Sequence, residues 1–147
     1  MKKFTFVLAA LAALTLFVSC ASTKEIPGDK TSAQIIQMGQ NAFAKNDYKN
    51  AINCYKEAIA RFGSDGSVFA EAKYEIGHVY MAQKKYDDAY RDFRDLLYLY
   101  DNAAIELPPA YRKLAENDIE KIPAAKLADL KATYDALEVV QPSPDAK

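Results

Sequence analysis

The sequence predicts an all-α protein, a solenoid of stacked helical hairpins with about five to six helices. Two observations lead to this fold class. Apolar residues recur at intervals of three and four along most of the chain, as they do on one face of an α-helix. The same pattern then returns after 38 residues, and self-similar helix pairs at a fixed period are typical of stacked hairpins.

Residues 71–100 form the clearest predicted hairpin. Its turn falls at residues 83–85, and each of its helices carries one apolar stripe. The stripes consist of Ala72, Ile76, Gly77 and Tyr80 on the first helix, and of Tyr86, Ala89, Phe93, Leu96 and Leu97 on the second. Gly77 and Ala89 are small among large neighbours, so the backbones of the two helices can approach closely.

Each landmark of this hairpin has a counterpart 38 residues upstream. The matching pairs are Met38-Gly39 with Ile76-Gly77, Tyr48 with Tyr86, Ala51 with Ala89, Tyr55 with Phe93, and Ile59 with Leu97. Leu114-Ala115 continues the series downstream at the same shift. We therefore predict two similar hairpins, followed by part of a third.

These residues resemble the tetratricopeptide repeat (TPR), a unit of about 34 residues that folds as two antiparallel helices. The first copy supplies Met38, Gly39, Ala42, Tyr48, Ala51, Tyr55 and Ala58, and the second supplies Ile76, Gly77, Tyr80, Tyr86, Ala89 and Phe93. The resemblance implies that the helices of each repeat are packed together by Gly39, Ala51, Tyr55, Gly77, Ala89 and Phe93. The second copy departs from the family at Leu96, where a second Ala is usual, and Gly63 and Asp101 stand where a terminal Pro is expected. The likeness covers roughly residues 32 to 122 and is weaker in the third copy.

Capping residues and prolines delimit the predicted helices. The first five run from Thr31 or Ser32 to about Lys45, from Asp47 to near Phe62, from Ser67 to about Gln83, from about Tyr86 to Tyr100, and from Pro108-Pro109 to about Lys121. Pro123 cannot continue the fifth helix and opens a sixth, which departs from the repeat pattern and is predicted to cap the solenoid. The repeat domain then spans residues 32–140, and residues 141–147, with two prolines, are predicted to be a disordered tail.

Residues 1–20 are predicted to be a lipoprotein signal peptide. Two lysines precede an uncharged apolar run at residues 4–18, which is shorter than the ~20 residues that a membrane span needs. The run ends at Ser19-Cys20, which resembles the bacterial lipoprotein signal and implies cleavage before Cys20 and its acylation, with palmitate as an expected acyl group. Phe17 stands where Leu is usual, a departure that occurs in looser versions of the signal in some bacteria, including spirochaetes. The alternative is an ordinary signal peptide cut near Ala21.

An acylated Cys20 would tether the domain to a membrane, because each buried methylene contributes about 0.8 kcal/mol. The predicted location is therefore the bacterial cell envelope, facing the periplasm. No Asp follows Cys20, which favours the outer membrane under the sorting rule of enteric bacteria. Residues 21–31 are polar, contain Pro27-Gly28, and are predicted to be a flexible linker.

Composition argues against several classes of function. The formal net charge is −1, and without Lys2 and Lys3 the chain carries 17 basic and 20 acidic residues, a net charge of −3, which gives no reason to expect a nucleic-acid partner. With Cys20 acylated, Cys54 has no partner for a disulfide. One histidine, His78, and one free cysteine do not make a metal cluster, and we find no catalytic or cofactor-binding motif. We predict that the protein is not an enzyme and binds no metal or cofactor. The acidic residues at 87–95 are interpreted as a solvated helix face.

The resemblance also implies a partner-binding groove, because in this family the first helix of each hairpin lines a concave face that binds peptides or partner helices. The repeat alignment places on this face Ile36, Gln40 and Phe43, then Tyr74, His78 and Met81, and then Arg112, Glu116 and Ile119. Apolar and aromatic residues without an evident core role are typical of partner sites. Alternatively, the sixth helix or the tail covers the groove. Ile36 and Gln40 replace the Lys and Asn with which some relatives hold a terminal carboxylate, so recognition of a free C-terminus is not expected.

The predicted function is that of a non-catalytic adaptor, which binds a protein partner of the cell envelope through the groove. A second reading is a role in outer-membrane β-barrel assembly, because residues 86–100 and 107–115 resemble the long-period repeats of the lipoprotein subunit of that machinery. That subunit has about five repeats, and this chain has two to three. A third reading is ligand capture alongside a solute transporter, which would need a closed pocket, made for example by self-association.

Overall fold

The computed structural model of the protein describes residues 23–102 and 106–140. The predicted signal peptide with Cys20 and the predicted tail at residues 141–147 lie outside the described residues. Within those two ranges the chain forms six α-helices and no strand: α1 (Ser32–Phe43), α2 (Tyr48–Phe62), α3 (Gly66–Ala82), α4 (Tyr86–Asn102), α5 (Pro109–Glu120) and α6 (Ala124–Val140). The all-α prediction is confirmed. Among the described residues, no helix has the length and apolar character needed to cross a membrane.

Side chains begin the first three helices by accepting hydrogen bonds from free backbone N–H groups. Thr31 and Gln34 form a reciprocal capping box at α1, and Asp47 caps α2, both in agreement with the sequence. The cap of α3 differs from the prediction, because Asp65 holds the place assigned to Ser67. The Asp65 carboxylate accepts a hydrogen bond of 2.8 Å from the backbone N–H of Ser67. Asp65, two residues before Ser67, is therefore the N-cap of α3.

The helices are arranged in two layers, with α1, α3 and α5 in one and α2, α4 and α6 behind them. Residue numbers rise together on neighbouring helices of the first layer, as four facing pairs show: Gln40 with Glu75, Phe43 with His78, Tyr74 with Tyr111, and His78 with Asp118. These three helices are therefore parallel. Turns within hairpins consequently lie on one edge of the solenoid, here called the turn edge, and loops between hairpins lie on the opposite edge, the loop edge.

The two hairpin turns have the same backbone geometry 38 residues apart. Asn46 and Lys84 both have φ of 57°, the left-handed region that ends many helices. Each turn makes the same two backbone hydrogen bonds: Asn46 to Phe43 and Asp47 to Ala42 in the first, and Lys84 to Met81 and Lys85 to Tyr80 in the second. The period found in the sequence is therefore a period of the backbone as well.

Glycine and an aromatic ring meet where the two helices of each hairpin cross. A Cβ atom on Gly39 would lie 2.5 Å from the Tyr55 ring, and one on Gly77 would lie 2.5 Å from the Phe93 ring. Ala51, Tyr55, Ala89 and Phe93 are completely buried, so all the residues assigned to packing within the repeats lie in the hairpin cores. The close approach of the helices thus depends on the missing side chain at the two glycines.

We expect Gly77→Ala to lower the free energy of unfolding by about 1–3 kcal/mol, because the added methyl overpacks the contact with Phe93. The sign of this change in unfolding free energy is informative, because alanine in a helix interior is usually more stable than glycine by about 0.5–1 kcal/mol. Urea unfolding followed by circular dichroism would measure it. Gly28→Ala is the matched control, because a Cβ there meets nothing within 4 Å. Stabilisation by Gly77→Ala would show that the helices do not depend on a bare backbone here.

The described part of the predicted flexible linker, residues 23–31, is held against α2 instead. The backbone N–H of Lys24 donates to Asn50 Oδ1 at 2.8 Å, and the Ile26 side chain is only 7% exposed, within the core of the first hairpin. Two side chains donate three hydrogen bonds to backbone carbonyls of the segment. Asn53 donates to Lys24 at 3.3 Å, and Arg61 donates to Ile26 at 2.9 Å and to Pro27 at 2.8 Å. Its partners are 26 to 35 residues away along the chain, so local composition did not reveal them.

Candidate partner-binding groove

The first layer of helices, α1, α3 and α5, is the inner side of the solenoid, because its members contact one another in turn. Part of the face that the repeat alignment assigned to partner binding belongs to the core. Ile36 is 5% exposed, and Tyr74 is 8% exposed with its ring 5.8 Å from that of Phe93. Met81 packs with Ile119 in the core between the second and third hairpins. The expectation that apolar groups on this face lack a core role is wrong for Ile36, Tyr74 and Met81. Neighbouring helices cover the part of the face on which these side chains lie.

The remaining predicted residues stay accessible on this layer. The side chains of His78, Arg112 and Glu116 are 39%, 42% and 38% exposed. Gln40 and Phe43 are half-buried, and so is Glu75, whose carboxylate accepts a hydrogen bond from Gln40 at 3.3 Å. We call the set of Gln40, Phe43, Glu75, His78, Arg112 and Glu116 the groove face. At its centre the ring centroids of Phe43 and His78 are 5.4 Å apart, and the ring planes are tilted by 51°.

The sixth helix does not cover the groove face. It lies against α4 in the other layer, where the ring of Tyr134 is 5.4 Å from that of Tyr90. Lys126 Nζ is 2.8 Å from Asp87 Oδ1, which ties the start of α6 to the start of α4. The alternative in which α6 fills the groove is therefore wrong for the described residues, while the tail lies outside them.

A buried carboxylate joins α3 to α5 beneath the groove face. Asp118 is 3% exposed and accepts hydrogen bonds from the Tyr74 hydroxyl at 3.0 Å, from His78 Nδ1 at 2.9 Å and from Lys121 Nζ at 2.6 Å. Burial by itself would raise the pKa of Asp118. The hydrogen bonds from Lys121, His78 and Tyr74 outweigh it and hold that pKa below its ordinary value. His78 is thereby fixed in orientation, with its free edge toward the groove.

Asp118 was not among the site residues predicted from the sequence. The one local sign of its role is that Lys121 follows three residues later and can pair with it. Such pairs are common on solvent-exposed helices, so the spacing does not indicate a buried carboxylate. What makes Asp118 special is its pair of partners on α3, which are 40 and 44 residues away. Only the alignment of α3 beside α5 brings these groups together.

Several carboxylates lie around the groove, and some of them are matched by cations. Arg112 pairs with Asp101 at 2.8 Å and with Glu116 at 3.3 Å, and Lys113 Nζ lies 3.7 Å from Glu116, so these two carboxylates face two cations. Burial raises the pKa of Glu71, and the nearby Glu75 adds to it, although a hydrogen bond from Tyr111 opposes the rise. Burial and the Glu71 carboxylate raise the pKa of Tyr111 to about 12, so its hydroxyl remains a donor. The groove therefore offers carboxylates beside aromatic rings.

The acidic residues of α4 are not all on a solvated face, as the sequence suggested. Asp92 is 8% exposed, and its Oδ1 lies 2.6 Å from Lys73 Nζ, so the pair links α4 to α3. Asp87 and Asp88 do lie near solvent, and they pair with Lys126 and Arg91, each at 2.8 Å. Asp92 lies next to the buried apolar stripe of α4, so it is shielded from solvent. Its charge is balanced there by Lys73 on α3.

Two cavities that are open to solvent lie beside the first hairpin and along α4, away from the groove face. One of about 200 Å³ sits between the N-terminal segment and the first hairpin, lined by Lys24, Met38, Lys45, Asp47 and Cys54 among others. Cys54 is a free, buried thiol, and burial raises its pKa. Among the described residues, no group of three or more His, Cys, Asp or Glu side chains could hold a metal ion.

Comparison with known proteins identifies the repeats. Residues 35–62 and 70–103 match the tetratricopeptide repeat, and these segments correspond to the α1–α2 and α3–α4 hairpins. A curated relative, an uncharacterized protein of Treponema pallidum (strain Nichols), is 30% identical over 117 residues, which are 77% of this chain and 47% of the relative. The chain thus spans about half the length of that relative. No solved structure matches the chain. The described residues therefore form an all-α, TPR-like helical solenoid, in which two segments match the tetratricopeptide repeat.

Proposed function

We propose that this protein is a non-catalytic adaptor of the bacterial cell envelope, which binds a protein partner through its groove face. Tetratricopeptide repeats typically mediate protein–protein interactions, and the fold is typically non-catalytic. The observation that carries the proposal is the neighbouring pair of Phe43 and His78. Both rings are partly exposed on the inner layer, and α6, the described element that could have covered them, packs on the other layer.

The chemistry of the groove face favours a partner segment with basic and aromatic or apolar side chains. The Glu75 carboxylate, which accepts a hydrogen bond from the neutral amide of Gln40, suits a lysine or arginine, and the Phe43–His78 pair suits an apolar or aromatic anchor. Arg112 is engaged by two carboxylates, so it adds little attraction for an acidic partner. Complementary charge would mainly speed association and exclude acidic competitors.

The proposed location is the periplasmic side of a membrane, with Cys20 as the lipid anchor and the outer membrane as the favoured site. Support comes from the apolar run that ends at Ser19-Cys20 and from the residue after Cys20, which is not Asp. The relative comes from a spirochaete, and looser lipidation signals such as the one with Phe17 occur in that group. Acylation would make the groove face available to envelope proteins at a fixed height above the bilayer.

Photocrosslinking in native membranes tests the proposal. A photoreactive residue at Gln40 reports on the groove face, and the same residue at Lys56, which is exposed on α2 in the other layer, is the matched control. We expect one dominant protein adduct at Gln40 that is absent at Lys56, identified by mass spectrometry. Equal adducts at both positions, or none at Gln40, would contradict partner binding by the groove.

The identity of the adduct separates the alternatives. A subunit of the outer-membrane β-barrel assembly machinery would favour the role suggested by residues 86–100 and 107–115. Ligand capture requires an enclosed pocket, whereas the cavities beside the first hairpin and along α4 are open to solvent. It would be favoured instead by intermolecular adducts between copies of the chain, since self-association could close the groove.

A further inference from the structure

The N-terminal segment fixes the point at which the chain enters the fold. Lys24 is bound to Asn50, in the first turn of α2, and Ile26 is buried further along the same helix. Arg61 holds the carbonyl of Ile26 near the end of α2, and the Arg61 side chain is itself held by Glu57 at 2.6 Å. The segment thus runs along α2 from the turn edge to the loop edge. Its first bonded residue, Lys24, lies at the turn edge.

The distance from Cys20 to this entry point is short. Three residues, at positions 21–23, stand between Cys20 and Lys24. A chain spans at most about 3.6 Å per residue, so the Cα atoms of Cys20 and Lys24 lie within about 14 Å of each other. The polar headgroup layer of a bilayer is itself several ångströms thick. An acyl chain on Cys20 would therefore bring the turn edge, and not the loop edge, to the membrane surface.

The two edges of the solenoid differ in charge. Each turn within a hairpin carries exposed lysine: Lys45 in the first, Lys84 and Lys85 in the second, and Lys121 in the third. Lys24 adds to them, since it borders the same cavity as Lys45. Asp87 and Asp88 are paired with Lys126 and Arg91, which are not among these lysines, whereas Lys121 is itself paired with Asp118.

The loop edge carries exposed carboxylates. Asp65, Asp101 and Glu106 are exposed there, and Asp101 is paired with Arg112 at 2.8 Å. The backbone of Gly66 lies against that of Glu106, which places both loops on one edge. A chain with a net negative charge thus presents lysines where its tether enters and carboxylates on the far side. Lysines close to an anionic membrane are attracted to it, and the attraction falls off within a Debye length.

We propose that the turn edge of the solenoid lies against anionic phospholipid headgroups, held there by the anchor at Cys20 and by the lysines of the hairpin turns. The proposal rests on the proposed acylation of Cys20. The helices would then stand with their turns at the bilayer and their interhairpin loops in the periplasm. The groove face would open sideways, parallel to the membrane surface.

Fluorescence quenching in vesicles tests this orientation. The full-length lipidated protein, in a Cys54→Ala background, is reconstituted into phosphatidylethanolamine–phosphatidylglycerol vesicles that contain a quencher on the lipid headgroups. An environment-sensitive label is placed at Ala44→Cys on the turn edge or at Ser64→Cys on the loop edge, both small and exposed residues. We expect several-fold stronger quenching at position 44. Equal quenching, or stronger quenching at position 64, in protein that remains on the vesicles would overturn the proposal.

Charge reversal tests the role of the lysines separately from the anchor. Lys84→Glu with Lys85→Glu should abolish most of the difference between the two labels while the protein stays on the vesicles. The matched control, Lys56→Glu with Lys131→Glu, changes the net charge equally on exposed residues away from the turns and should leave the difference intact. An unchanged difference in the first variant would refute the contribution of the lysines.

Failure of the anchor itself has a distinct result. If Cys20→Ser leaves the protein in membranes, or if the mature protein carries no acyl group by mass spectrometry, the proposed anchoring is wrong and the orientation proposal falls with it. If Cys20→Ser releases the protein but the labels are quenched alike, anchoring stands and the orientation alone is refuted.

Discussion

Phe93→Ala is expected to lower the free energy of unfolding by about 3–5 kcal/mol, the usual loss when a buried aromatic ring is removed. The ring of Phe93 is completely buried, fills the space over Gly77 and stacks on Tyr74. Its removal leaves a cavity where α3 and α4 cross, and the bare backbone at Gly77 cannot fill it. A domain of this size has about 5–15 kcal/mol of stability in total, so the variant should be close to unfolding.

Urea unfolding of Phe93→Ala and of Tyr98→Ala gives a controlled comparison within α4. Tyr98 is 62% exposed, so its removal should cost no more than about 0.5 kcal/mol. The variant Phe93→Ala should also remove the penalty of Gly77→Ala, because the added methyl then enters the cavity. A double-mutant cycle that shows additive losses would mean that Gly77 and Phe93 do not pack as described.

Asp118→Asn should cost about 1.5–3 kcal/mol, the range for hydrogen bonds to a buried charged group. Asparagine keeps the shape of the side chain, but its single carbonyl oxygen can replace only one of the two carboxylate oxygens. If it takes the place of Oδ2, to which Tyr74 and His78 both donate, the NH₂ group meets Lys121, and the loss comes from that ion pair. Asp129→Asn is the control, since that carboxylate is 70% exposed and its pair with Lys126 should contribute little.

The stability lost in Asp118→Asn should be smaller in acid than at neutral pH. The pKa of Asp118 is lower in the folded protein than in the unfolded chain, where an Asp has a pKa of about 3.9. The ionised carboxylate therefore stabilises the fold above about pH 4, and this contribution is lost as the pH falls through the lowered folded-state value. The difference in unfolding free energy between wild type and Asp118→Asn should be constant at neutral pH and shrink in acid. A difference that grows in acid would contradict the hydrogen bonds described for Asp118.

The fold could be predicted from the sequence because several independent features of the repeat indicate the same structure. The apolar period, the small residues at Gly39 and Gly77 and the aromatic residues opposite them all indicate the same hairpin, and the structure shows that hairpin twice. The helix bounds agreed to within two residues, since proline and capping residues act locally. Such signals need no knowledge of distant parts of the chain.

The groove was harder to predict, for a physical reason. An alignment of repeats tells which side of a helix faces inward, but the neighbouring helix decides how much of that side remains open. Ile36 and Tyr74 were covered in this way, whereas His78 was not. The same holds for the segment before α1, whose polar sequence resembles a linker until α2 supplies Asn50 and Arg61 as its partners.

The docking of that segment also imposes an order on folding. The chain emerges from its amino end first, so Ile26 appears before the residues that will enclose it. Its site is complete only when α2 has formed out to Arg61, 35 residues later. Ile26 can therefore reach its final buried position only after the whole of α2 has been synthesised.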